Sequence, residues 1–113
     1  MATRRETIDL LLDYAEAAGH MATRRMFGEY ALYCDGKVVA LVFKDELYVK
    51  ATHAGRTYLG EPTEAMPFEG AKPWFLVGGD QWEDAEWLAE LLRRTAAELP
   101  IPKPKVKKSA KGT

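Results

Sequence analysis

The chain has 113 residues and a mass of 12.7 kDa, with 47% apolar and 29% charged residues, and a chain of that size buries roughly two-thirds of its unfolded surface, enough for one modest core. Its formal net charge of −1 hides an asymmetry, because all 17 acidic residues precede Pro100 whereas Lys103, Lys105, Lys107, Lys108 and Lys111 follow it. No apolar run nears the roughly 20 residues that span a bilayer, the amino terminus turns acidic where a secretory signal needs an apolar stretch, and the lone Cys34 makes no internal disulfide; a soluble cytoplasmic protein is expected.

Thr3 and Glu6 have capping-box spacing, in which the Thr hydroxyl takes one free helix amide and the Glu carboxylate another. A first helix is expected from there, with Ile8, Leu11, Leu12, Ala15 and Ala18 as its apolar stripe and Gly19 just past its end. Asp35-Gly36 then marks a two-residue hairpin loop, since both central positions of such a loop need positive φ. Counted back from that loop without interruption, the register pairs Tyr30 with Leu41 and Leu32 with Val39, and sets Gly28 opposite the ring of Phe43. A second tight turn, at Lys44-Asp45 or Asp45-Glu46, leads into a third strand over residues 47–51, which completes a meander.

Thr52 can cap a short helix over residues 52–60, and residues 67–70 and 73–77 read as short strands that extend the sheet. After Gly78-Gly79, Asp80 or Asp84 can cap a last helix whose stripe is Trp87, Leu88, Leu91, Leu92, Thr95 and Leu99, and Pro100 stops it. The expected fold is therefore α+β, an antiparallel meander with an N-terminal and a C-terminal helix packed on it. One domain spans 1–99, and the Lys/Pro-rich segment 100–113 reads as a disordered basic tail.

The strand over 37–43 is apolar on both sides, which calls for both sheet faces to be covered. In the uninterrupted register Phe27, Tyr33, Val42 and Leu47 share one face. If both long helices lie on the other, these four are candidate contacts for a protein partner or a second copy of the chain. Arg24 and Arg25, together with Arg4 and Arg5, form a candidate basic spot on the acidic body, and Trp82, set among acidic residues, is a candidate interface anchor. The five tail lysines can touch any polyanion without sequence preference.

Residues that carry chemistry are sparse. His20, His53 and Cys34 have no metal-ligand spacing, the scattered glycines make no phosphate-binding loop, and paired carboxylates such as Asp9 with Asp13 fit solvated helix surface. For Cys34 to act as a nucleophile its pKa would have to be lowered, and Lys37 is the one cation placed to do so. No catalytic residue, metal or cofactor is expected.

The run Arg24-Arg25-Met26-Phe27-Gly28, with Tyr30, Leu32 and Tyr33, then Asp35-Gly36 and later Asp45-Glu46-Leu47-Tyr48-Val49-Lys50, resembles the TfoX N-terminal domain family. Where that family often has glycine, this chain has Glu29 and Ala31. The resemblance implies a regulatory domain of the kind found in bacterial regulators of competence gene expression, commonly joined to a C-terminal domain that this sequence does not show. The expected function is thus a small regulatory or protein-interaction module without catalysis. The alternative is a nucleic-acid-associated accessory protein that holds phosphate backbones through the lysine tail, Arg24 and Arg25.

Overall fold

A computed structural model describes residues 3–26 and 29–100. The expectations placed on Phe27, on Gly28 and on the tail, including Lys103, Lys105, Lys107, Lys108 and Lys111, lie outside the described residues. The elements in chain order are α1 (Arg5–Tyr14), a 3-10 turn (Glu16–Ala18), β1 (Met21–Met26), β2 (Glu29–Cys34), β3 (Lys37–Phe43), β4 (Glu46–Val49), α2 (His53–Leu59), β5 (Thr63–Ala65), β6 (Trp74–Val77), α3 (Gly79–Trp82) and α4 (Ala85–Glu98). The strands form one antiparallel sheet in the order β1-β2-β3-β4-β6-β5, and the fold is α+β as expected.

Both tight turns are two-residue loops with positive φ throughout: Asp35 53° and Gly36 83° in the first, Lys44 51° and Asp45 63° in the second. Between the turns the pairing departs from an uninterrupted count. Tyr33 pairs with Val38 as the loop dictates, but a β-bulge follows, and beyond it Leu32 faces Ala40 and Tyr30 faces Val42. An extra residue on one strand reverses the facing of every residue after it, because side chains alternate with period two. Val42 and Leu47 therefore point to the opposite face from Tyr33. The bulge also lets consecutive residues Val39 and Ala40 join the same core cluster.

The first helix is not closed by a capping box. Thr3 turns away from it and donates its hydroxyl and its backbone N–H to the Glu29 carboxylate, while Arg4 at the cap position has no side-chain cap of its own. Glu29 is thus buried and used: its second oxygen accepts the Lys44 N–H at 3.4 Å. The α-helix ends at Tyr14 and continues only as the 3-10 turn. Gly19 serves a close approach, since a Cβ there would stand 2.8 Å from Asp35 Oδ2, and that carboxylate accepts the His20 N–H at 2.9 Å.

Met21–Met26 is an additional edge strand, placing Arg24 and Arg25 one strand further out than the central hairpin. Its sequence, half apolar and half polar, has no clean alternation to announce it. The short strand expected over residues 67–70 is a turn instead, closed by Ala71 N–H donating to the Phe68 carbonyl at 3.1 Å, and the outer strand forms at Thr63–Ala65. Thr52 caps α2 by accepting the Gly55 N–H, and Asp84 rather than Asp80 caps α4 by accepting from Trp87 at 3.2 Å.

Both long helices pack on one face. Ile8 and Leu11 of α1 and Leu88, Leu91 and Leu92 of α4 meet Leu32, Val42, Leu47, Val49, Phe75 and Val77, all buried. A fully buried side chain of this kind contributes roughly 1.5–3 kcal/mol relative to leaving it in water. The other face carries a smaller cluster of Ala31, Leu41 and Tyr48, flanked by half-buried Tyr33, Phe43, Trp74 and Leu76 and overlain at one end by Phe68, whose ring centroid lies 5.5 Å from that of Phe43.

Candidate interaction surface

Two transverse rows of side chains make up the helix-free face. The inner row runs Arg24, Ala31, Leu41, Tyr48, Leu76, Thr63 from β1 to β5. Beside it lies an outer row, Ala22, Tyr33, Val38, Lys50, Trp74, Ala65; the Lys50 N–H donates to Val39 at 2.8 Å, and Lys50 follows Val49, which pairs with Phe75. Tyr33, Val38, Lys50 and Trp74 are all half-buried. The Lys50 ammonium lies 5.7 Å from the Trp74 ring centroid, a cation–π distance.

Shallow clefts flank these rings. Tyr33 separates one of about 250 Å³, beside His20 and Arg24, from one of about 280 Å³, beside Lys37, Lys50, Leu99 and Pro100. A third, of about 360 Å³, lies between Lys50, Trp74, Phe68 and Lys72. The Tyr48 hydroxyl beneath donates to Glu46 at 3.0 Å, and burial first, then that carboxylate, pushes its pKa up to about 12.

Charge is concentrated on the helix side, and Glu46, which accepts the Tyr48 hydroxyl, is the carboxylate that β4 contributes to the helix-free face. The helices and the links between them carry Glu6, Asp9, Asp13, Glu16, Asp80, Glu83, Asp84, Glu86, Glu90 and Glu98, and their arginines are tied to carboxylates: Arg5 to Asp9, Arg93 and Arg94 to Glu90, and Arg56 to Glu64 of β5. Arg24, Lys50 and Lys72 take part in none of the ion pairs among the described residues.

The four arginines expected to form a basic spot divide between the two faces, with Arg5 and Arg25 both beside Tyr30. Arg24 and Arg25 alternate across β1, so Arg24 faces the helix-free side while Arg25 reaches over the Tyr30 ring at 5.5 Å on the helix side. Arg4 is bound to Asp45 and Arg5 to Asp9, each at 3.2 Å. Val42 and Leu47, expected as partner contacts, are fully buried under the helices, because the bulge reversed their facing. Tyr33 does lie on the helix-free face. Trp82 is half-buried at the far end of the helix layer, its ring centroid 6.1 Å from that of Tyr14. Lys50, Lys72 and Trp74 were not singled out in the sequence; the alternation of Tyr48 and Lys50 in a short strand was the available signal.

Cys34 is buried, its thiol 3.7 Å from the Ala18 carbonyl. Burial, and then Asp35, push its pKa up, against a smaller lowering by Lys37. No group of three metal-ligating side chains occurs among the described residues. Nor is any helix among them long and apolar enough to cross a membrane.

Residues 13–99 match the family model of the TfoX N-terminal domain. The chain belongs to that family. It is also 40% identical over 109 residues to an uncharacterized 12.7 kDa protein in the trpE 5′ region of Spirochaeta aurantia, covering 96% of this chain and 94% of that relative. In this TfoX N-terminal domain the residues that carry the resemblance divide between architecture and surface. Tyr30, Leu32, Leu47 and Val49 build the helix-side core, Asp45 closes the start of α1, and Tyr33, Tyr48 and Lys50 lie on the helix-free face.

Proposed function

We propose that this protein is a small cytoplasmic regulatory module that works by contact with other macromolecules and carries out no reaction of its own, in the manner of the N-terminal domain of competence regulators. The family supplies the regulatory part of the reading. Its main physical support is the one-sided packing of the helices, which leaves half-buried Tyr33, Phe43, Trp74 and Leu76 on an accessible face. The raised pKa of Cys34 and its burial also speak against a reactive thiolate.

A protein partner, or a second copy, would be met along β1, the six-residue edge strand that pairs only with β2 among the described residues. An open edge offers unpaired backbone groups to an added strand, and Arg24 and Arg25 on its two sides favour an acidic one. Light scattering on the purified chain, with affinity capture from the native cell, tests this. A complex that Arg24→Glu with Arg25→Glu dissolves is expected; a chain that is monomeric and captures nothing at any concentration would end the protein-partner reading.

A second reading is contact with nucleic acid. It is favoured by the division of charge, which leaves Arg24, Lys50 and Lys72 without carboxylate partners on the face opposite the acidic helices. Five further lysines follow Pro100.

A further inference from the structure

We propose that the helix-free face is a binding platform for single-stranded nucleic acid, with Tyr33 and Trp74 as its stacking rings and Arg24, Lys50 and Lys72 as its phosphate contacts. This rests on the nucleic-acid reading above and names the site and the form of the ligand.

Three independent features converge. Tyr33 on β2 and Trp74 on β6 lie in one transverse row with Lys50 between them. Three inter-strand spacings of about 4.8 Å put the two rings roughly 14 Å apart across the sheet, a span suited to a strand laid at right angles to the β-strands with its bases splayed. Rings held on a sheet accept any base, because every base has a π-face, and each stacked base contributes affinity without sequence preference.

Cations flank the rings: Lys50 shares their row, Arg24 stands in the adjoining inner row, and Lys72 lies just before β6. Arg24 lies in the cleft on one side of Tyr33, Lys50 in the cleft on its other side, and Lys72 with Lys50 in the cleft against Trp74. None of the three is neutralised by a carboxylate, in a body whose other described arginines, Arg25 excepted, are ion-paired. Phosphates following the chain of bases would meet positive charge at each step, while the acidic helix layer repels nucleic acid from the opposite side.

The third feature is where the basic segment begins. Pro100, after which the five lysines follow in the sequence, lines the cleft between Tyr33 and Lys50. Duplex is disfavoured by the same geometry. A paired base offers no free ring face to Tyr33 or Trp74, and among the described residues no helix is presented on this side to enter a groove.

The test is fluorescence anisotropy of the full chain with labelled 15-mer oligo(dT) and oligo(U), against a 15-base-pair duplex, at several salt concentrations. Tighter binding of the single strands is expected, with Tyr33→Ala and Lys50→Glu each weakening it roughly five- to a hundred-fold at unchanged circular dichroism. Trp74→Phe should retain most of the binding and Trp74→Ala lose it, and oligo(dT) should quench Trp74 fluorescence in the parent. Equal affinity for duplex would overturn the platform. So would binding that survives Tyr33→Ala and Lys50→Glu but vanishes when Lys103, Lys105, Lys107, Lys108 and Lys111 are all changed to alanine, an outcome that leaves general polyanion contact standing. Saturable binding of poly-glutamate with none of either nucleic acid would overturn both and assign the face to an acidic protein.

Discussion

Asp45 closes the amino end of α1 from 41 residues away: its carboxylate accepts the Arg4 backbone N–H at 2.9 Å and pairs with the Arg4 guanidinium at 3.2 Å. It also accepts the Thr7 hydroxyl at 2.8 Å, while the Asp45 N–H donates to the Thr3 hydroxyl at 3.2 Å. The left-handed turn between β3 and β4 therefore serves as the helix cap that the local sequence lacks. Asp45→Ala should destabilise the fold by about 1 kcal/mol, within the range of lost N-caps. Arg4→Ala should do less, because its side chain is 71% exposed and such ion pairs contribute little. Urea unfolding of the two variants checks the order.

The same carboxylate makes part of the stability depend on acid. The Arg4 N–H first, then the Thr7 hydroxyl, hold the Asp45 pKa below its ordinary value of 3.8. A pKa lower in the folded than in the unfolded state means that the native protein binds fewer protons. The contribution is complete above the ordinary value and fades as pH falls through the folded one. The urea midpoint of the parent should fall below about pH 4, and Asp45→Asn should flatten that fall.

At the other end of the scale, Tyr48 should titrate late. Its pKa is pushed up to about 12 by burial and by Glu46, so the folded state holds the phenolic proton where an unfolded tyrosine has released it near 10. Stability from this group is complete below pH 10 and is lost as pH rises towards 12. Ultraviolet titration should show a phenolate that appears late in the parent and is missing in Tyr48→Phe.

The bulge between β2 and β3 can be tested by charge. Val42 is fully buried beneath the helices, so Val42→Lys should prevent folding or lower the melting point severely, since an unpaired buried ammonium is far costlier than a lost methyl. Val42→Ala should cost roughly 2 kcal/mol or more through the lost burial and the cavity. Tyr33→Lys, on the opposite face and half-exposed, should fold normally.

Glu98 offers a local readout. Its carboxylate, at the end of α4, accepts the His53 and Ala54 N–H groups at 2.9 and 2.7 Å and so helps cap α2, and those bonds lower its pKa. Glu98→Gln should speed hydrogen exchange at the His53 and Ala54 amides and leave the core strands as protected as before.

Local patterns determined much of this protein. Asp35-Gly36 specified its hairpin because few residues tolerate positive φ, and the stripe from Leu88 to Leu92 specified α4 because one apolar face must be buried; the second turn was legible near Asp45, and the structure decided for Lys44-Asp45 over Asp45-Glu46. The motif around Tyr30 and Asp45 was enough for the family. What depended on tertiary structure was whatever involves partners distant in the chain. Thr3 abandons the nearby Glu6 for Glu29, Asp45 from a β-turn and Glu98 from α4 cap helices distant in the chain, and one extra residue in β3 sends Val42 to the core and leaves Tyr33 outside. The sequence alone could not place the bulge, since residues 38–43 are apolar in either phase and their pattern carries no preference for a face. The alignment of Tyr33, Lys50 and Trp74 was equally hidden, because β6 enters the sheet beside β4, and only strand order, settled by burying Phe75 and Val77 under the helices, brings the three into one row.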